Sequence, residues 1–294
     1  MSRRQRIRKV GTTVPTFLLL LSMATRALSQ PQTSQALADS LTTYLRRLPP
    51  IARVGVAVES LADSTVTFRH RADERVPSAS VIKLPILLEA MERVKAGALD
   101  LEEIHILVDS EKTGGSGVLT GYSHRSRISY GDLLRLMMVY SDNTATNIFI
   151  RELGMDAINA RMHTLGLTQS QLNRVMMDTM AARQGRENYV TAGEMNVLLK
   201  KIYRKQVATP ALCDQMLAIL KQNEDVKTIP RLLPKGTVVA HKTGELAYVR
   251  GDAGIVYVKQ PFLLSVFVEG VPTPEAERII GELALICYQF FSHS

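Results

Sequence analysis

Three short groups of residues in this chain have types and spacings that could do chemistry. The first is Ser80-Val81-Ile82-Lys83. A serine hydroxyl is a weak nucleophile until a base takes its proton, and a lysine three positions on lies one helical turn away on the same face. Lysine serves as that base only when burial or a second cation lowers its pKa. A helix starting at Ser80 would also point free N–H groups at a developing oxyanion. The plainer alternative is a cap serine followed by an exposed lysine, since about one Ser-x-x-Lys is expected by chance in ~300 residues. The second group is Ser141-Asp142-Asn143. Ser141 could pass a proton to a leaving nitrogen and Asn143 could hold a substrate amide; equally, these residue types favour a helix–helix turn. The third is Lys242-Thr243-Gly244, where a cation, a hydroxyl and a residue without a side chain would suit an acyl substrate carrying a carboxylate. A second Lys-Thr-Gly, Lys112-Thr113-Gly114, runs into Gly115-Ser116-Gly117 with no strand pattern around it, and is read as a flexible loop.

The elements that must position these groups follow from periodicity. Residues 34–47 are apolar at helical spacing, and 53–60 and 65–70 alternate like strands across a short Leu-Ala-Asp-Ser turn. From Ser80 to about Asn223 the pattern is helical. A helix over 81–96 stops at Gly97, and Ser129 caps a helix whose apolar run is 133–140, with Asp132 at its third position. Further helices are expected over 144–153, 155–165, 191–204 and 210–222, the last with Thr209 as cap and Pro210 at its first position. Strands return at 237–241, 253–259 and 262–269, with Gln260-Pro261 turning between the last two, and a closing helix runs from Thr273 to about Phe290. Such an order predicts an α/β fold with an all-α lobe: an antiparallel sheet flanked by helices, built from 30–79 and 236–294, and a helical lobe over 80–235. The cleft between them is the natural place for a site.

Composition narrows the function classes. The chain has 294 residues, 46% of them apolar and 22% charged, which excludes extended disorder and a disulfide scaffold. The net charge of +8 invites a polyanion partner. Six of the basic residues, Arg3, Arg4, Arg6, Arg8, Lys9 and Arg26, fall in residues 1–29, where there is no acid. Removing those six leaves 30 basic against 28 acidic residues, so no nucleic-acid partner is implied. A basic start, an apolar run from Val14 to Ala24 and small residues at Ala27 and Ser29 match a cleaved signal peptide over 1–29. The run is about half the ~20 residues that span a bilayer. The expectation is an exported protein, periplasmic or extracellular, with no stable membrane insertion after cleavage; an uncleaved anchor is the alternative. Cys213 and Cys287 sit in apolar helical patterns and read as buried free thiols, although export permits a disulfide. No metal-ligand spacing is present and no cofactor is expected.

In order and context the three groups match Ser-x-x-Lys, Ser-Asp-Asn and Lys-Thr-Gly. On these residues the chain resembles the class A β-lactamases, within the wider family of penicillin-recognising serine hydrolases. The likeness reaches Lys83-Leu84-Pro85, Asp132-Leu133-Leu134 and Val238-Val239-Ala240-His241, and covers roughly residues 34–291. It implies that Ser80 is the acylated nucleophile and Lys83 its base or part of its proton relay. Ser141 would carry the proton to the ring nitrogen and Asn143 would bind the substrate's side-chain amide. Lys242 and Thr243, beside Gly244, would bind the substrate carboxylate, and the Lys242 cation would lower the pKa of Lys83. The backbone N–H groups of Ser80 and Glu245 would form the oxyanion hole. Arg250 resembles the family's second carboxylate-binding arginine; the alternative is an exposed strand arginine.

The resemblance fails at one place. Class A enzymes carry the deacylating base in an Arg-x-Glu-x-x-x-Asn loop, and the matching stretch is Arg174-Val175-Met176-Met177-Asp178-Thr179-Met180. Met176 replaces the glutamate and Met180 the asparagine. Neither thioether activates a water. Arg174 would face Asn188 instead of an aspartate. Asp178, or failing that Glu187, is the candidate replacement base; equally, Asp178 could serve only as a loop cap. The implied activity is a serine hydrolase opening β-lactams, with a role in antibiotic resistance or β-lactam catabolism. A penicillin-binding D,D-peptidase, an esterase-like hydrolase, or a trap that is acylated and stalls is the alternative. The expected partner is a small molecule, a β-lactam or peptidoglycan-like acyl peptide, and the expected state is a monomer.

Overall fold

The computed structural model describes residues 34–293; the expected signal segment lies outside the described residues. In chain order the elements are α1 (Ser34–Leu45), β1 (Arg53–Ser60), β2 (Thr67–His70), β3 (Val76–Pro77), α2 (Lys83–Lys95), β4 (Ile104–Ile106), β5 (Arg127–Ser129), α3 (Tyr130–Val139), α4 (Asn143–Leu153), α5 (Met155–Thr164), α6 (Thr179–Arg183), β6 (Tyr189–Val190), α7 (Ala192–Tyr203), α8 (Pro210–Leu220), β7 (Val238–Leu246), β8 (Val249–Tyr257), β9 (Phe262–Glu269) and α9 (Thr273–His293). A 3-10 turn, Ala79–Ile82, leads directly into α2.

Five strands form one sheet in the order β2-β1-β9-β8-β7, with every neighbour antiparallel. β9 reads Phe-Leu-Leu-Ser-Val-Phe-Val-Glu because both faces of the sheet are covered. Leu264, Val266 and Val268 join the cluster formed with α1 and α9, including Leu37, Leu41, Ile280 and Phe291. Leu263 and Phe267 belong to the larger cluster of α2, α3, α4, α7 and α8. Successive side chains thus feed two cores, as the two-residue period of a strand requires. Ser265, in mid-strand, is buried and donates to Asn196 Oδ1 on α7 at 2.7 Å, which satisfies the one polar group that the strand sends inward.

The α/β fold with a helical lobe is as expected, with three differences. The middle stretch is not all-helical: β4 pairs with β5, and β6 pairs with β3 across the lobes. These strands are two or three residues long, too short to carry a period. The strand carrying Lys242 continues through Leu246, and β8 begins at Val249, so Arg250 and Asp252 lie within the sheet. Ala247 and Tyr248 alone make the turn, and pairing runs out to Leu246↔Val249. The charged residues there mask an extended backbone that cross-strand hydrogen bonds hold regardless of side-chain polarity. Finally, Ser80 sits in the 3-10 turn rather than in the helix itself, with Lys83 opening α2.

Candidate active site

Three elements deliver the three groups to one cleft. The 3-10 turn places Ser80 half-exposed at its mouth, after Ala79 at φ 46°. A non-glycine residue in the left-handed region costs about 1–3 kcal/mol and persists only where the surroundings enforce it. β7 enforces it here. A Cβ on Gly244 would lie 3.0 Å from Ser78 O and 3.1 Å from the Ser80 N, so only glycine lets the strand pass this close to the turn. Ser141, the residue linking the α3 C-terminus to α4, is also left-handed at φ 54°. Asp142 follows as N-cap of α4: one carboxylate oxygen accepts from Ala145 N at 2.9 Å and the other from Val118 N at 2.7 Å and Leu119 N at 2.9 Å.

Lys83 is fully buried and reaches between these elements. Its Nζ donates to Ser141 O at 2.6 Å, Ser141 Oγ at 3.0 Å and Asn143 Oδ1 at 3.0 Å. None of the three acceptors is a carboxylate. Burial, and next the Lys242 cation, push its pKa well below the usual lysine value, against a weaker opposite pull from Asp142. Lys242, on β7, is likewise buried, and its Nζ donates to Thr243 O at 2.8 Å. Desolvation lowers its pKa to about 8, although Asp252 and Asp225 pull upward. Asp252 is itself buried and accepts from Thr228 Oγ1 at 2.6 Å and Ile229 N at 3.1 Å, with His241 Nδ1 2.9 Å away.

A cavity of about 560 Å3 opens beside these groups, lined by Ser80, Ser141, Lys242, Thr243, Gly244 and Glu245 among others. Its far wall is Arg250, which is 3% exposed and so not the exposed arginine of the alternative reading. Its Nη2 meets Asp225 at 2.6 Å and Glu277 at 3.2 Å, and its Nη1 faces Gly244 O at 3.4 Å and Glu245 at 3.7 Å. The guanidinium is therefore already engaged by protein carboxylates. Asp225 and Glu277 carry no motif, and the sequence pattern did not single them out.

A second cavity, about 430 Å3, lies on the other side of Ser80, with Asn143, Met176, Met177, Glu187 and Tyr248 in its wall. Asn147 holds the Met176 backbone from both sides, accepting from its N at 2.7 Å and donating to its O at 3.2 Å. Met176, 7% exposed, lines this cavity at the sequence position where the class A pattern has its glutamate. Asp178 caps α6, accepting from Ala181 N at 2.9 Å, and lines neither cavity. Arg174 does not face Asn188. Its guanidinium forms a fork with Glu187, at 3.0 Å to each carboxylate oxygen, while the Asn188 side chain ties down the Asn173 and Arg174 backbone. The carboxylate one residue earlier wins because it carries the charge that the buried guanidinium needs.

The segment read as a flexible loop is anchored to this site. Thr113 N donates to Thr144 Oγ1 at 2.8 Å, Asn143 Nδ2 to Gly114 O at 2.9 Å, and Asn143 N to Ser116 O at 3.0 Å. Gly117, at φ 106°, leaves the room that Asp142 occupies: a Cβ there would lie 2.1 Å from its carboxylate oxygen. Gly115 and Gly117 are there for close approach, while a Cβ on Gly114 would meet nothing.

A five-stranded antiparallel sheet backed by two helices, with Ser80, Lys83, Ser141, Asn143 and Lys242 gathered under a helical lobe, defines a penicillin-recognising serine hydrolase. Comparison with known proteins is specific. The model of the β-lactamase enzyme family matches residues 32–291. β-Lactamase VEB-1 of Pseudomonas aeruginosa is 26% identical over 279 residues, covering 88% of this chain and 92% of that protein. A β-lactamase from Sphaerobacter thermophilus superposes with a TM-score of 0.80 at 26% identity over 89% of this chain and 99% of that one. PBP-A superposes with a TM-score of 0.81 at 26% identity over 88% of this chain and 96% of that one. A point mutant of PBP-A is known as an acyl-enzyme complex with penicillin G. The chain belongs to the β-lactamase enzyme family, as a divergent class A member and serine β-lactamase-like hydrolase with methionine in place of the usual deacylating glutamate.

Proposed function

We propose that the protein opens β-lactam rings through an acyl-enzyme on Ser80. The observation that carries this is Lys83: a buried lysine without a carboxylate partner, one turn from Ser80 and within 3.0 Å of Ser141 Oγ. Such a lysine is neutral more readily than an exposed one and accepts the Ser80 proton as Oγ bonds to the lactam carbonyl carbon. The ring C–N bond then breaks, and the nitrogen takes a proton relayed through Ser141 Oγ. Backbone N–H groups of Ser80 and Glu245 stabilise the oxyanion, an assignment supported by the close passage of β7, where a Cβ on Gly244 would lie 3.1 Å from the Ser80 N. Lys242 and Thr243 hold the substrate carboxylate, and Asn143 orients the acyl amide. Water then cleaves the serine ester, so that the net reaction adds water across the lactam amide.

A second reading, a β-lactam trap or slow hydrolase, is favoured by one observation. The Met176 position carries a thioether, Asp178 caps a helix, and Glu187 is forked with Arg174. None of them presents a free base to a water on the ester. Mixing the protein with a chromogenic cephalosporin while following intact mass decides between these. Turnover that Ser80→Ala abolishes supports the hydrolase; a stable adduct without turnover supports the trap; neither adduct nor turnover rejects both.

We further propose that residues 1–29 direct export to the periplasm or the outside and are removed, leaving 30–294 as one domain. The basic start and short apolar run support this reading, and among the described residues no helix is long and apolar enough to cross a membrane. An N-terminus at Gln30 in exported protein is the expected result.

A further inference from the structure

The cavity beside Lys242 carries an unusual charge balance for a site that must receive a carboxylate. Three carboxylates, Glu224, Asp225 and Glu245, line it against two cations, Lys242 and Arg250. Arg250 does not restore a positive field. Asp225 holds it at 2.6 Å and Glu277 at 3.2 Å, so two carboxylates already offset its single charge. Its Nε, on the buried wall of the cavity, has no partner among the described residues. Glu224 is exposed, and the Glu245 side chain is 55% exposed at the rim, its carboxylate 3.7 Å from Arg250 on this side of the strand. Lys242 therefore offers one anchoring charge at the floor, and the rim above it is net negative.

A ligand that is only an anion gains from Lys242 and is repelled by the rim. A ligand that places a fixed cation a few ångströms from its carboxylate gains from both. From this charge arrangement we propose that Glu245 and Glu224 select substrates that are zwitterionic on the carboxylate side of the scissile bond, with Glu245 the principal specificity residue. In a cephalosporin the 3-substituent is attached to the ring carbon next to the one bearing the carboxylate, so a 3-pyridiniummethyl group would bring its cation to this rim. The inference rests on the β-lactam reading for the orientation of the ligand.

The test uses two cephalosporins with the same thienylacetyl side chain, one carrying a neutral 3-acetoxymethyl group and the other a 3-pyridiniummethyl group. Equilibrium binding is measured by calorimetry to the full chain in a Ser80→Ala background, so that no covalent step enters. The expected result is tighter binding of the cationic ligand. Adding Glu245→Gln should shrink that preference roughly fivefold, and adding Glu224→Gln as well should shrink it about tenfold, as for solvent-exposed charges a few ångströms apart screened by bulk water. Raising salt to ~1 M, where the screening length falls to about 3 Å, should flatten it further. Glu102→Gln, an exposed site outside both cavity walls, should leave it unchanged. Equal binding of the two ligands, no binding of either, a preference that survives both substitutions, or an equal loss in Glu102→Gln overturns the inference. Acylation of unsubstituted protein by the neutral ligand, read by intact mass, judges the Ser80 reading separately, so either can fail alone.

Discussion

At the scale of single residues, the candidate site places two lysines where water cannot stabilise their charge. Both are pushed down by burial, Lys242 to about 8 and Lys83 well below the ordinary lysine value. The proposed acylation needs them in opposite states. Lys83 must lose its proton to act as a base, so acylation rises with pH along a limb set by Lys83. Lys242 must keep its proton to attract a carboxylate, so acylation falls as pH passes about 8. The expected profile of the second-order acylation rate is a bell. Lys242→Arg, which stays charged throughout, should remove the alkaline limb even if the peak rate drops; an unmoved limb would assign it to another group. Met176 bears on the proposed second step, hydrolysis of the acyl-enzyme. Its backbone is already held on both sides by Asn147, so Met176→Glu would place a carboxylate in the cavity that Ser80 also lines. A well-placed base contributes about 10²–10⁴-fold. The acyl-enzyme lifetime in intact-mass time courses should therefore shorten at least tenfold, with stability lowered by about 1–3 kcal/mol for burying the carboxyl. An unchanged lifetime in a folded variant would show that the loop holds no water within reach.

At the scale of elements, the site depends on joints rather than on regular structure. Asp142 is both the N-cap of α4 and the anchor of the 112–119 segment through Val118 N and Leu119 N. Asp142→Ala removes a cap worth about 1 kcal/mol and leaves two loop donors without their acceptor, at about 1–3 kcal/mol each where they stay buried. Melting should show a total loss of roughly 3–7 kcal/mol if both donors stay buried, and hydrogen exchange should quicken first in 112–119. Loss at α4 alone would mean that the segment is held by Thr144 and Asn143. Joints of this kind also mark the limit of what the sequence makes legible. Long amphipathic elements such as α2, α7 and α9 are plain in the spacing of apolar residues, and the three chemical groups are legible because their side chains are rare together. The Lys112–Gly117 stretch reads as slack because glycine has the same signature whether it confers freedom or close approach; only Asp142, 25 residues on from Gly117, tells which. Arg174 meeting Glu187 rather than Asn188 is hidden for a similar reason: adjacent residues compete for one partner, and loop conformation decides. β7 and β8 extend past their apolar runs because pairing satisfies backbone groups whatever the side chains are.

At the scale of the whole molecule, the sheet separates two cores that share its strands but not its side chains. The larger cluster joins the sheet's inner face to the helical lobe, and the smaller one joins its outer face to α1 and α9. The two cysteines fall one in each. Cys213, on α8, is buried in the larger cluster and donates to Val207 O at 2.9 Å; Cys287, on α9, is buried in the smaller. Burial raises both thiols above their usual pKa, which keeps them protonated and unreactive in the folded state. With the thiols in separate cores, a native disulfide could form only if one core came apart. The fold is then held by non-covalent contacts, with both thiols free. The expected outcome is a melting temperature independent of reductant, and no reaction of either thiol with a small disulfide reagent until denaturant unfolds the chain. Because one thiol reports on each core, the two reactivities also measure cooperativity. If both cores open together, Cys213 and Cys287 will be labelled at the same denaturant concentration, as for a two-state domain. Labelling of Cys287 at a lower concentration would mean that α9 lifts from the sheet while the helical lobe and its lysines stay in place.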